Sequence, residues 1–132
     1  MQITTSFLQA FSASNRQLPS LLLEKAERLR SKRDLEQAIL ACQEILVRWP
    51  GYISAFVVLA RAHMDRADLD AAEAALHTAA SHDPMNAVVL GLLAKASLLS
   101  GDRTAAQKWA EQALFFDPTN AEANGVLREV TG

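Results

Sequence analysis

Apolar residues return every three or four positions along most of this chain, and short polar turns interrupt them at regular distances. Between Gly51 and Pro84, the residues Phe56, Leu59, Ala60 and His63 follow the spacing of one helix face. Leu69, Ala72, Leu76 and Ala79 follow the spacing of a second. The turn between them holds Asp68, whose carboxylate suits the free N–H groups that open a helix. Asp34 with Gln37 reads as a capping box at the equivalent place upstream. Each unit is therefore a helix, a turn and a second helix. Proline then interrupts the pattern, since it cannot sit in a helix interior but suits a helix start.

The unit occurs three times. Pro50, Pro84 and Pro118 stand 34 residues apart, and so do Ala26, Ala60 and Ala94. Ala38, Ala72 and Ala106 keep the same interval, as do Asp34, Asp68 and Asp102. Four columns in register over three copies establish a repeat, and a repeat takes precedence over any local reading of fold. The alanines mark places where two helices cross closely, because only a small side chain leaves room for the facing ridge. Enlarging Ala60 or Ala94 to leucine overpacks that crossing at a cost of roughly 1–3 kcal/mol.

On these residues the chain resembles the tetratricopeptide repeat family, whose unit is a 34-residue helix–turn–helix. The resemblance covers Pro19 to Asn120, with Ala121 onward similar to the first helix of a fourth unit. The large first position of the family holds Leu22, Phe56 and Leu90; its partner holds Leu59 and Leu93, with Lys25 as a departure in the first unit. The aromatic places are degenerate, holding Leu29, His63 and Ser97 in the first helices and Cys42, Leu76 and Ala110 in the second. The resemblance implies an all-α, right-handed superhelical α-solenoid of three repeats, 19–52, 53–86 and 87–120, closed by a capping helix over 121–131. Residues 1–18 form an N-terminal amphipathic segment outside the repeat domain of 19–132, and Ile3, Phe7, Leu8 and Phe11 share one face of a predicted N-terminal helix. The expected role of that helix is to cover the open end of the first unit. The alternative is a segment that lies in the groove of its own chain or of a neighbour.

Within the first unit, helices are predicted near Pro19–Ser31 and Leu35–Arg48, and Trp49 and Tyr52 flank Pro50 at the first junction, where they staple two units together. In the third unit Gly101 supplies the left-handed conformation that ends a helix. Glu122, Asn124, Arg128 and Glu129 give the last helix the polar outer side that a closing helix needs.

Composition narrows the chemistry. A chain of 132 residues is long enough to bury a real core. Aromatic residues make up only 6%, which suits close helix packing rather than an aromatic-lined cavity. A net charge of −2 gives no electrostatic case for nucleic acid, which needs clustered Lys and Arg. No stretch approaches the roughly 20 continuous apolar residues of a membrane span. No Lys or Arg precedes Arg16, and Thr4, Thr5, Ser6 and Gln9 break any apolar run, so a secretory signal is not expected. The single Cys42 falls at a core position and reads as a reduced packing cysteine of a cytoplasmic protein.

No catalytic or metal-ligating constellation stands out. His63, His77 and His82 lack i,i+4 spacing and ligand-patterned companions, and His63 reads as a satisfied interior or interfacial imidazole. The five glycines never cluster into a phosphate loop, and no serine sits in a nucleophile elbow. No enzyme activity and no cofactor are expected.

The candidate surface follows from geometry. In stacked helical pairs the first helices line the inside of the superhelix. Positions opposite the packing columns align into rows: Leu23/Val57/Gly91, Glu27/Arg61/Lys95 and Arg30/Met64/Leu98, with Val88 beside them. Glu27 is expected to neutralise Arg61, leaving Lys95 freest to meet an acidic group. Some relatives of the resembled family grip the acidic C-terminal tail of a heat-shock chaperone through Lys, Asn and Arg. The matching places here hold Leu23, Glu27, Val58, Val88 and Leu92, so that clamp does not carry over. The expected partner is a peptide or amphipathic helix with an acidic residue, bound by a scaffold or adaptor of a larger assembly. The alternatives are a self-associating building block, a homo-oligomer through the N-terminal segment or the repeat ends, and a regulatory part of a longer protein.

Overall fold

The computed structural model describes the backbone from residue 5 and the side chains from residue 18. Over that range the chain forms seven helices: α1 (Thr5–Ser31), α2 (Leu35–Arg48), α3 (Ile53–Asp65), α4 (Leu69–His82), α5 (Ala87–Leu99), α6 (Arg103–Phe116) and α7 (Ala121–Thr131). None of the described helices is long and apolar enough to cross a membrane. Consecutive helices pack as pairs, α1 with α2, α3 with α4 and α5 with α6, and α7 closes on both α5 and α6. The odd-numbered helices also touch their odd-numbered neighbours, whereas α2, α4 and α6 do not touch one another. Helices closer together on one side than on the other curve the row, so α1, α3, α5 and α7 line its concave side. The molecule is an open α-solenoid.

The alanine columns occupy the crossings predicted for them. Ala26, Ala60, Ala94, Ala38, Ala72 and Ala106 are all wholly buried. Around them Ile45, Leu76, Leu90 and Leu93 fill the spaces between the paired helices.

Each helix–turn–helix bends through the same device. Asp34, Asp68 and Asp102 donate their N–H groups to the carbonyls of Leu29, His63 and Ser97, five residues back. Arg33, Ala67 and Gly101 donate to the carbonyls of Arg30, Met64 and Leu98. This double bond pattern needs a left-handed residue just past the helix, and φ is 66° at Arg33, 61° at Ala67 and 95° at Gly101. Only the third repeat spends a glycine there. Asp68 and Asp102 then cap α4 and α6 by accepting from Ala71 N–H at 3.3 Å and Ala105 N–H at 3.0 Å. Asp34 makes no such bond, so the capping box expected with Gln37 is not formed.

Pro50, Pro84 and Pro118 lie in the turns between repeats rather than at helix starts. Across each of them a carbonyl at Trp49, Asp83 or Asp117 accepts from the N–H three residues on. The fixed φ of proline suits the second position of such a turn. Pro19 behaves differently. No helix begins there: α1 runs through it without interruption. Proline removes one N–H from the ladder, and α1 continues on both sides of that gap. The placement of Ile3, Phe7, Leu8 and Phe11, and therefore the covering role expected of them, lies outside the described side chains.

Candidate functional site

The ten positions expected on the inner face divide into two adjoining clefts, a flanking one and one buried position. The first cleft, of about 240 Å³, is lined by Arg30, Arg61, Met64, Asp65, Leu92 and Lys95, with Glu122 on its far side. The second, of about 280 Å³, gathers Leu23, Val57, Val58 and Val88 with Glu27 and Asn86 at its edges. Val57 and Arg61 are four residues apart on α3, one helical turn. An apolar hollow and a charged hollow therefore sit side by side on one helix. Leu98 lies in a third cleft, of about 380 Å³, between α5 and α7, which also reaches Lys95 and Glu122.

Gly91 does not belong to this open surface. It is buried, and a Cβ placed on it would collide with the Asn120 side chain. Asn120 is itself 8% exposed. Its Oδ1 accepts from Ala123 N–H at 2.9 Å, which caps α7, while its Nδ2 donates to the Ala87 carbonyl at 3.1 Å. One side chain thus starts α7 and ties it to the first turn of α5. The missing Cβ at Gly91 is what lets it fit. Position 91 is a packing position, not a contact position.

The ion pairs also differ from the expected pattern. Glu27 pairs with Arg30 at 3.4 Å, not with Arg61. Arg30 reaches across to Asp65 of α3 at 3.0 Å, with both side chains about three-quarters covered. Lys95 pairs with Glu122 of α7 at 3.5 Å. Among the described residues no carboxylate lies within ion-pairing distance of Arg61. Of these two cations it is therefore Arg61, not Lys95, that has no ion pair among the described residues. Glu27 fails to reach Arg61 because a partner three residues away on its own helix is closer. Asp65 and Glu122 were not among the expected positions. Glu122 stands 34 residues after Val88, so the repeat interval itself points to it.

Two titratable groups, one buried and one half-buried, sit outside the clefts. Cys42 is wholly buried. Burial, with the negative charge of Glu27 as a lesser cause, pushes its thiol up to about 12, so it stays protonated and unreactive. His63 is half-buried, and its Nδ1 has no hydrogen-bond partner among the described residues. The expected satisfied imidazole is thus not found. Burial lowers its pKa below the ordinary histidine value, Asp68 works against that and Arg66 with it. No group of three or more His, Cys, Asp or Glu side chains gathers as a metal site among the described residues.

A model of the tetratricopeptide repeat family matches residues 29–95 and, in a second register, residues 65–130. No curated protein sequence is matched. Among solved structures, the first repeat domain of Spaghetti (RPAP3) bound to the HSP90 peptide SRMEEVD superposes with a TM-score of 0.81 at 20% identity, over 87% of this chain and 91% of that one. The second repeat domain of human RPAP3, in complex with the HSP70 peptide SGPTIEEVD, gives 0.77 at 16% identity over 86% and 98%. A repeat protein from Parabacteroides merdae gives 0.75 at 15% identity, over 91% of this chain and 48% of that one. At these identities the likeness is one of fold.

Proposed function

Because the chain belongs to the tetratricopeptide repeat family, we propose that it is a non-enzymatic protein-interaction module that takes a peptide or amphipathic helix along its concave face. The observation that carries this reading is Arg61, a guanidinium without a described carboxylate partner, one helical turn from the apolar hollow of Leu23, Val57 and Val88. A ligand that fits both hollows carries an apolar side chain and one carboxylate at neighbouring positions. Arginine binds such a carboxylate through paired N–H donors. Met64 beside it adapts to varied apolar shapes. Leu23, Glu27, Arg30, Val57, Arg61, Met64, Val88, Lys95 and Leu98 are the contact residues of this proposal.

The first Spaghetti domain and the second human RPAP3 domain are bound to peptides that end in Glu-Glu-Val-Asp. An acid-rich tail of that kind does not suit this groove. Arg30 and Lys95 already hold carboxylates, and Glu27, Asp65 and Glu122 repel further negative charge. A scaffold or adaptor role inside the cytoplasm accords with this reading.

The test is a displayed peptide library selected against the chain, followed by titration of the selected peptide. Charge reversal in Arg61→Glu should weaken binding about tenfold or more, roughly 1.4 kcal/mol, while the thermal midpoint barely moves. Equal loss of folding and binding counts against the groove. A second reading, self-association as a building block, draws on the length of α1, 27 residues against 14 in α2. Light scattering on the full chain and on a chain lacking residues 1–17 separates the two. A monomer in both cases removes the second.

A further inference from the structure

The three turns between repeats are equivalent in sequence position, and one of them is built from different chemistry. At the second turn the Asn86 side chain caps α5, accepting from Val89 N–H at 3.2 Å, and its amide donates to Asp83 at 3.3 Å. At the third, Asn120 caps α7, and Asp117 accepts from the N–H and the hydroxyl of Thr119 at 3.0 and 2.7 Å. The first turn puts Trp49 where the others have aspartate and Tyr52 where they have asparagine. Tyr52 makes no side-chain cap for α3. Giving up an asparagine cap costs on the order of 1 kcal/mol. A local rule broken at one copy of three marks a place where something other than stability is served.

What stands there is a cleft of about 490 Å³, lined by Pro19, Ser20, Arg48, Trp49, Pro50 and Tyr52. It opens at the edge of the stack, where α2 ends. Trp49 and Tyr52 are half-buried, so they join the repeats only in part and leave ring surface open. The Arg48 guanidinium lies 6.0 Å from the Trp49 ring and has no carboxylate partner among the described residues. The polar side chains of the lining are an indole N–H, a guanidinium and two hydroxyls. All can donate, and none is an obligate acceptor.

We propose that this cleft binds a proline-rich, extended segment of a partner protein. Such a segment is the chemical complement of the lining. Each proline offers a carbonyl acceptor and no N–H donor. The polyproline helix makes no internal hydrogen bonds, so those carbonyls are open to donors such as the Trp49 indole and Arg48. Its rings are flat apolar plates suited to Trp and Tyr faces, and its stiffness lowers the ordering cost of binding. A helical ligand spends its carbonyls internally and has no such match. The site is separate from the concave groove and does not depend on it.

The test uses the full chain carrying Trp109→Phe, which leaves Trp49 as its sole tryptophan. Titration with an acetylated oligoproline should shift Trp49 emission saturably, while a Gly-Ser peptide of equal length should not. Tyr52→Ser and Arg48→Gln should each weaken the binding about tenfold, and Arg61→Glu should leave it unchanged. Circular dichroism checks that the Tyr52 variant is folded; Arg48 is exposed, so its variant reports on the site even if the other does not fold. The absence of a saturable shift at the highest soluble oligoproline concentration overturns the proposal. So does an equal response to the Gly-Ser peptide, or loss of the response in Arg61→Glu.

Discussion

The first and third repeats share one backbone plan and differ in what their first helices bury. In α5, Val89, Leu90, Leu92, Leu93, Ala94 and Ala96 are all covered. The equivalent positions of α1 are Leu21, Leu22, Glu24, Lys25, Ala26 and Arg28, and only Ala26 among them is buried. The reason is position in the row. Helix α5 has α3 and α4 on one side and α7 on the other, whereas the described part of α1 has repeats on one side only. The covered positions of α5 are leucine, valine or alanine; at the matching places of α1, three of the six are glutamate, lysine or arginine, although Leu21 is also exposed. The departure at Lys25 is thus the polar finish of an end face. Helix α7, on the other side of α5, likewise carries Asn124 and Arg128 at the places of Leu90 and Ala94.

If burial in the row sets the energetics, the largest contrast is Leu93→Ala against Lys25→Ala. The leucine is wholly buried and its truncation should cost about 2–5 kcal/mol. The exposed lysine should change stability by no more than about 0.5 kcal/mol. Urea midpoints of the two variants decide the matter, and equal losses would break the comparison.

The junction of α5 with α7 gives the next effect. Gly91→Ala drives a methyl into Asn120, which should cost about 1–3 kcal/mol and loosen α7 before the rest. Hydrogen exchange should show α7 amides opening early, with α1 to α4 unchanged.

The helix-ending turns sharpen the contrast further. Gly101→Ala should cost about 1 kcal/mol, since φ is positive there. Ala67→Gly should gain a fraction of that, because the relief of left-handed strain outweighs the added chain entropy. Asp102→Ala should lose about 1 kcal/mol through its cap, and Asp34→Ala, which caps nothing, far less.

The smallest effect is a pH dependence confined to the middle repeat. His63 has a folded pKa lowered below 6.5, so as pH falls the unfolded chain takes up the proton first. Its contribution is complete above pH 6.5 and is lost as pH drops toward the folded value. His63→Leu, which copies Leu29 of the first repeat, should flatten that slope in denaturation curves taken across the window.

The scaffold was legible in the sequence because packing at a crossing depends on residue size alone, and size repeats: Ala26, Ala60 and Ala94 announce the fold without any side-chain geometry. Asn86 and Asn120 repeat too, but in two copies of three, so their caps were easy to pass over. The ion pairs were not legible. Whether Glu27 turns to Arg30 or Arg61 is a choice between rotamers separated by little energy, and Asp65 enters only when two helices are set side by side. The uninterrupted helix through Pro19 was hidden for a related reason. A proline signals one missing hydrogen bond, and only the flanking turns decide whether the helix survives it.

The most direct measurement is a titration of isotope-labelled chain with a library-selected peptide, following the backbone amide signals residue by residue. The account predicts that shifts concentrate on the inner faces of α1 and α3, at Leu23, Val57, Arg61 and Met64, and vanish with Arg61→Glu. Shifts confined to the outer helices α2, α4 and α6, or unaffected by that reversal, would contradict it.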